Sequence, residues 1–174
     1  MAVLIDGART PHGTLLGSLA DVDAVELGRT AIDGLFDRTS VEPDRVDWAA
    51  LGNAIQAGIG QAPGRQAVVE SALPNATPTT TVNEASASGL RAIALAADRI
   101  DAGAASVAVA GGFESMTRAP WVLPGYRAGR RYGDVTLRDS MVRDALWDVS
   151  LDVHMGEIAE RLVDRHEDAY DLSR

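Results

Sequence analysis

The 174-residue sequence contains no cysteine and no lysine. Without cysteine, the chain has no disulfide, no thiolate metal ligand and no thiol nucleophile. All 16 basic residues are arginine, and the 25 acidic residues leave a net charge of -9, which argues against a nucleic-acid partner because it repels phosphate. The missing lysine and abundant aspartate predict either a halophilic source or a high-GC coding bias, and amino-acid usage alone favours neither.

Long hydrophobic runs are also missing. No apolar stretch is long enough to cross a bilayer, and the first residues lack the basic start and apolar core of a secretory signal. We therefore expect a cytoplasmic protein that does not associate with membranes. A hydrophobic content of 46% is sufficient for an ordinary soluble domain with a real core.

Apolar runs alternate with segments of helical period, which is typical of an α/β fold with a largely parallel sheet. The predicted strands comprise residues 2–6, 48–55, 79–83 and 107–110. The predicted helices comprise residues 23–37, 63–73 and 156–167, and one further helix ending before Gly103 whose apolar residues are Leu90, Ile93, Ala94, Ala97 and Ile100. Prolines and glycines interrupt every period between residues 116 and 151, which predicts loops with short helices.

The most informative segment lies where the third predicted strand turns into the helix that ends before Gly103. Small residues surround Ser86 there, so that a ligand could approach the backbone closely. A nucleophile at a helix N-terminus gains from unpaired N–H groups and from the positive end of the helix dipole. The alternative is that Asn83, Ser86 and Ser88 only cap the helix. The residues alone leave both interpretations open.

This segment, Thr-Val-Asn-x-x-Ser-x-Ser-Gly-Leu at residues 81–90, resembles the active-site segment of the thiolase family, with Ser86 where that family has its nucleophilic cysteine. Four further segments resemble thiolases in the same order, at residues 8–11, 64–67, 110–116 and 154–156. The resemblance implies a layered α/β/α/β/α fold of two similar halves, with a loop domain inserted into the first half. Residues 1–117 would form the N-terminal core half, and residues 118–174 the incomplete beginning of the loop domain.

The resemblance also implies roles for individual residues. Ser86 would accept the acyl group, and its backbone N–H would face the thioester oxygen as an oxyanion donor. Asn83 would brace the turn that carries Ser86. The pantetheine and acyl pocket would be lined by His154, Met155 and Leu146. The other two histidines, His12 and His166, are predicted to lie at the surface.

The implied function is that of an acyl-CoA acyltransferase, which condenses acyl-CoA units to a 3-ketoacyl-CoA or cleaves the product by thiolysis. Coenzyme A thioesters such as acetyl-CoA would be substrates, and neither a metal nor a redox cofactor is implied. A histidine from the second half would serve as base for Ser86. Because the missing half leaves one side of the sheet without its cover, we expect a homodimer, a homotetramer or a complementary second-half chain. Two alternatives remain: a protein that binds acyl-CoA or a partner without turnover, and a deliberate replacement of cysteine at position 86.

Overall fold

The computed structural model describes residues 1–163. The chain divides into two compact units, Met1–Pro120 and Trp121–Arg174. The sequence placed this boundary after residue 117, and the assignment of the second unit to an inserted loop domain stays a prediction. Over residues 1–163, no helix is long and apolar enough to span a membrane.

The first unit is built on a parallel sheet of three strands, which confirms the predicted α/β class. The strands are β1 (Trp48–Gly52), β2 (Thr79–Val82) and β3 (Ala108–Gly112), in the order β2-β1-β3. Parallel registers pair Ala49 with Thr79 and Trp48 with Ala108. Every residue of the central strand β1 is buried, as expected for a parallel strand covered on both faces.

Helix α1 (Ala24–Phe36) precedes β1, and helices α2 (Pro63–Val69) and α3 (Ser88–Asp101) connect the three strands. Two apolar clusters occupy the two faces of the sheet. One cluster joins α1 and α2 to the sheet and includes Val25, Ile32, Leu51, Ala67, Val68 and Val109. The other lies under α3 and comprises Trp48, Ala50, Val82, Ala92 and Ala96. The first unit is thus a three-layer α/β/α arrangement.

Helix α1 agrees with its prediction to within a residue at each end. Asp23 is the N-cap, and its carboxylate accepts a hydrogen bond from the Glu26 N–H at 2.9 Å. Capping satisfies a backbone donor that the first helical turn leaves unpaired. The predicted strands around β1, β2 and β3 and the helix at α2 are also present, with ends shifted by a few residues.

Helix α3 is present where it was predicted, but the face that it buries is a different one. Its buried residues are Ser88, Ala92 and Ala96, which are small enough to let the helix axis approach the sheet closely. The larger apolar residues point away, with Leu90 73% and Ile93 38% exposed. Near the end of the helix, the Arg99 guanidinium lies over the Trp48 ring, 4.9 Å from its centroid.

The strand predicted for residues 2–6 is wrong. No strand is present there, and Val3, Leu4 and Ile5 are each at least 66% exposed. An apolar run becomes a strand only where another strand offers it hydrogen-bonding groups. Within the described chain, no ladder joins residues 2–6 to the outer edge of β2 or of β3, so this apolar run makes no hydrogen bonds to a neighbouring strand.

The second unit contains short elements, as predicted for residues 116–151. Two antiparallel ladders pair β4 (Trp121–Val122) with β5 (Arg138–Asp139) and β6 (Trp147–Asp148) with β7 (Val153–His154). A π-helix (Val142–Leu146) precedes β6, and α4 (Met155–Val163) follows β7. No hydrophobic side chain is fully buried among its described residues. The predicted end of α4 at residue 167 and the surface position of His166 fall outside the described residues.

Candidate active site

Ser86 lies between the end of β2 at Val82 and the start of α3 at Ser88, which confirms the predicted strand-to-helix junction. Its side chain is exposed to solvent. Within residues 1–120, its hydroxyl group has no hydrogen-bond partner. A hydroxyl that is neither buried nor engaged is accessible to a ligand that approaches the N-terminus of α3.

The turn that carries Ser86 has an unusual backbone conformation at the preceding residue. Ala85 adopts a left-handed φ of 49°, which costs an alanine about 1 kcal/mol. The Asn83 Oδ1 atom accepts the Ala85 N–H at 3.1 Å, and the Ser88 hydroxyl donates to the Ala85 carbonyl at 2.6 Å. That same hydroxyl accepts the Glu84 N–H at 2.8 Å. These hydrogen bonds maintain the strained turn and so fix the direction of residue 86.

Glycines bring the first turn of α3 directly onto the carboxyl ends of the strands. A Cβ atom on Gly52 would lie 2.5 Å from the Ser88 carbonyl carbon, and one on Gly112 would lie 3.1 Å from the Gly89 Cα. No side chain could fit between helix and sheet at these points. The N-terminus of a helix of 14 residues is therefore held over the strand ends, where its unpaired N–H groups favour negative charge.

One ion pair stands beside the turn. The Arg91 Nε atom lies 2.9 Å from the Glu84 Oε1 atom, and both side chains are about half exposed. An exposed pair of this kind contributes little to stability. Its effect is to balance the carboxylate of Glu84, two residues before Ser86, with a positive charge from the first turns of α3.

Sequence reasoning gave no role to Glu114, which lies just beyond the end of β3. Its carboxylate accepts hydrogen bonds from the Ala54 N–H at 2.8 Å, the Ile55 N–H at 3.2 Å and the Asn53 side-chain amide at 2.8 Å. Burial raises the pKa of Glu114, and these three donors offset only part of that shift. The sequence signal was a Gly-Gly-Phe-Glu segment after one parallel strand and an asparagine after its neighbour, which places both at the same edge of the sheet.

Three of the predicted site residues belong to the second unit. His154 is exposed at the end of β7, and its Nδ1 atom accepts the Gly156 N–H at 3.1 Å, so a neutral imidazole carries its proton on Nε2. Met155 begins α4 and is 45% exposed, whereas Leu146 ends the π-helix and is half-buried. Their roles in a substrate pocket stay predictions. In the first unit, His12 lies exposed in a loop, as expected for a surface residue.

Comparison with known proteins places this geometry in context. The family model for the thiolase N-terminal domain matches residues 2–173. An acetyl-CoA acetyltransferase of Cupriavidus necator is 46% identical over 160 residues, which are 92% of this chain and 41% of that protein. One from Pseudomonas aeruginosa is 44% identical over 164 residues, covering 94% of this chain and 42% of that protein.

A probable acetyl-CoA acetyltransferase of Escherichia coli is 42% identical over an alignment of 177 positions, which covers 98% of this chain and 45% of that protein. The chain thus spans less than half the length of the curated relatives that it matches. The family model and these identities lead to the same conclusion: the chain belongs to the thiolase family, in the part that forms the N-terminal domain.

Proposed function

We propose that this chain is the N-terminal part of an acyl-CoA acyltransferase of the thiolase type, in which Ser86 accepts the acyl group. The observation that carries the proposal is the position of an exposed, unengaged hydroxyl on a braced turn at the N-terminus of α3. The names of the relatives support acetyl-CoA as a substrate class. The chain spans less than half of those relatives, and we propose that the remaining catalytic groups belong to a part of the protein beyond it.

The proposed step is an ordinary acyl transfer. The Ser86 Oγ atom attacks the thioester carbonyl carbon, a C–O bond forms, and the C–S bond breaks to release coenzyme A. The hydroxyl proton passes to a base and then to the departing thiolate. Serine needs that base more than cysteine does, because a hydroxyl is almost fully protonated at neutral pH whereas a thiol is partly ionised.

The residues of the turn would serve the same step. The Ser86 N–H would donate to the oxygen of the tetrahedral intermediate, and the N-terminal end of α3 would favour the negative charge there. Asn83 would hold the turn in place through its bond to the Ala85 N–H. We propose that a histidine from the rest of the protein is the base, and that His154, Met155 and Leu146 contact the pantetheine and acyl portions of the substrate.

Further features of the complete protein are proposed on the same basis. It would act in the cytoplasm without a metal or redox cofactor, as a homodimer, a homotetramer or a complex with a complementary chain.

The test is an acyl-exchange assay on the complete gene product with labelled acetyl-CoA, followed by mass spectrometry of the peptide that contains residue 86. Unmodified protein should show an acetyl group on Ser86 as an oxygen ester. The Ser86→Ala variant should form none, and Ser86→Cys should form it at the same rate or faster because a thiolate needs less help. A suitable control is Ser106→Ala, which removes a hydroxyl remote from the turn.

Equal exchange by the unmodified protein and by Ser86→Ala would reject nucleophilic catalysis at this position. Acyl-CoA binding without exchange would leave the non-catalytic alternative in its place.

A further inference from the structure

The buried carboxylate of Glu114 is connected to the turn of Ser86 through a continuous chain of hydrogen bonds. It begins at the peptide group that joins Ala54 to Ile55. On one side of this group, the Ile55 N–H donates to the Glu114 Oε2 atom at 3.2 Å. On the other side, the Ala54 carbonyl accepts a hydrogen bond from the Asn83 Nδ2 atom at 3.1 Å. One peptide unit is therefore held from both sides.

Asn83 continues the chain to the turn. Its amide nitrogen is engaged by the Ala54 carbonyl, so its Oδ1 atom faces the opposite way and accepts the Ala85 N–H at 3.1 Å. Ala85 is the residue with the left-handed φ of 49°, and Ser86 follows it directly. Hydrogen bonds arranged in series polarise one another, so a charged acceptor at one end strengthens those that follow.

The position of Glu114 is itself well defined. Its second oxygen, Oε1, accepts the Asn53 Nδ2 atom at 2.8 Å, and that amide also donates to the Phe113 carbonyl at 3.1 Å. Asn53 is 1% exposed, and its Oδ1 atom has no partner among the described residues. The two donor bonds of this buried amide hold the Glu114 carboxylate in a single orientation beside the Phe113 carbonyl.

We infer that Glu114 is a positioning residue for the acyl-accepting turn, acting through the peptide group 54–55 and through Asn83. This inference rests on the proposed function, since it gives the turn a catalytic purpose. The Glu114 carboxylate contacts neither Ser86 nor any other residue of the turn by a hydrogen bond within residues 1–120. Its influence is therefore indirect and should appear in the rate of acyl transfer rather than in substrate binding.

Two variants of the complete gene product test the inference. Glu114→Gln keeps the shape but replaces one acceptor oxygen with an amide group that cannot accept a hydrogen bond. Asn83→Asp is also isosteric and lies at an exposed position. It keeps the acceptor for the Ala85 N–H but loses the donor to the Ala54 carbonyl. Each should lower the rate of acyl-enzyme formation about tenfold or more with little change in KM, because misplacing a reacting group by a fraction of an ångström is that costly.

The double variant distinguishes positioning from general structural damage. If Glu114 acts through Asn83, Glu114→Gln should have little further effect on the rate once Asn83→Asp is present. Independent, multiplicative losses would overturn the inference. Glu26→Gln is the matched control, because it makes the same chemical change at a carboxylate on α1 that is paired with Arg29. It should leave the acyl-transfer rate unchanged.

Hydrogen exchange gives a readout that does not depend on activity. In Glu114→Gln, the Ala85 amide should exchange faster by about fivefold, the effect expected from the loss of one ordinary hydrogen bond. The Val109 amide in β3 should be unaffected. Unchanged Ala85 exchange would overturn the positioning role even if acyl transfer is confirmed. Conversely, absence of the acyl-enzyme in unmodified protein would reject the proposed function, and the exchange result would still decide whether Glu114 holds the turn.

Discussion

The two faces of α3 are both apolar, yet they are packed in opposite ways. The face toward the sheet uses Ser88, Ala92 and Ala96, and all three are buried. The opposite face carries the larger Leu90 and Ile93, which are exposed. Burial on this helix therefore does not follow the size or hydrophobicity of the side chain. At the first turn the cause is visible, because Gly52 and Gly112 let Ser88 and Gly89 lie directly on the strand ends.

Gly52→Ala is the substitution that we expect to disrupt the packing of α3 on the sheet most. The added Cβ would lie 2.5 Å from the Ser88 carbonyl carbon and 2.7 Å from the Gly89 nitrogen, and backbone atoms cannot rotate away. We expect a loss of unfolding free energy of about 3 kcal/mol, measured by urea denaturation, together with a loss of acyl transfer as α3 is displaced.

The matched control for that variant is Gly111→Ala on the neighbouring strand, where an added Cβ meets nothing within 4 Å. The unfolding free energy of Gly111→Ala should stay within about 0.5 kcal/mol of that of the unmodified chain. Similar losses in both variants would mean that strand propensity, and not the approach of α3, determines the effect.

Enlarging one alanine on each face of α3 should lower the stability of the chain by different amounts. Ala92→Leu forces three extra carbon atoms into a site with no exposed surface, and we expect it to destabilise the 174-residue chain by about 2 kcal/mol. Ala94→Leu makes the same change on the exposed face two residues later and should cost less than about 0.5 kcal/mol. Thermal denaturation of both variants measures the difference.

Repeating this pair in a longer gene product would sharpen the comparison. If Ala94→Leu strongly destabilises the longer protein but not the 174-residue chain, the rest of the protein covers the exposed face of α3. Equal costs of the two substitutions in the 174-residue chain would contradict the packing described above.

The smallest expected effect concerns the loop between α3 and β3. Just before β1, the Asp47 carboxylate accepts hydrogen bonds from the Ser106 N–H at 2.6 Å and the Val107 N–H at 3.0 Å. Both bonds lower the pKa of Asp47 in the folded state, and the bond from Ser106 has the larger effect. The stabilisation is therefore complete above the ordinary aspartate pKa of about 3.9, and it is lost as the pH falls through the lower folded-state pKa.

Urea midpoints of the unmodified chain and of Asp47→Asn should accordingly differ more at pH 7 than at pH 3. Asp98→Asn, at an exposed position on α3, is the control for removing one negative charge. A difference for Asp47→Asn that stays constant between the two pH values would contradict the role of its ionised form.

Local patterns predicted those parts of the fold that depend on neighbouring residues. Asp23 before an amphipathic run was sufficient to place α1, and the junction at Ser86 followed from small residues after a β-branched strand. The strand at residues 2–6 was predicted wrongly because its existence depends on a partner that periodicity does not reveal. The buried face of α3 was missed because hydrophobic periodicity selects the larger apolar residues, whereas the close approach of the first turn of α3 to Gly52 and Gly112 depends on residues distant in sequence.

The residues of the candidate site also differ in how far they could be predicted from the sequence. Ser86 and Asn83 lie in one turn and could be recognised together from one segment. Glu114 acts across the sheet on residues about 60 positions earlier, and only the parallel register of β1 and β3 brings them together. From the sequence, the ends of the predicted strands indicate only that these residues share an edge of the sheet, and not which of them form hydrogen bonds.

The stacking of Arg99 on Trp48 gives the molecule a built-in optical probe. Trp48 is 8% exposed and belongs to the first unit, whereas Trp121 and Trp147 belong to the second. In a chain with Trp121→Phe and Trp147→Phe, tryptophan fluorescence arises from Trp48 alone and shifts to longer wavelength when the face of the sheet that α3 covers becomes exposed to water. Detachment of the helix that carries the acyl-accepting turn can thus be followed in real time, separately from any rearrangement of the second unit.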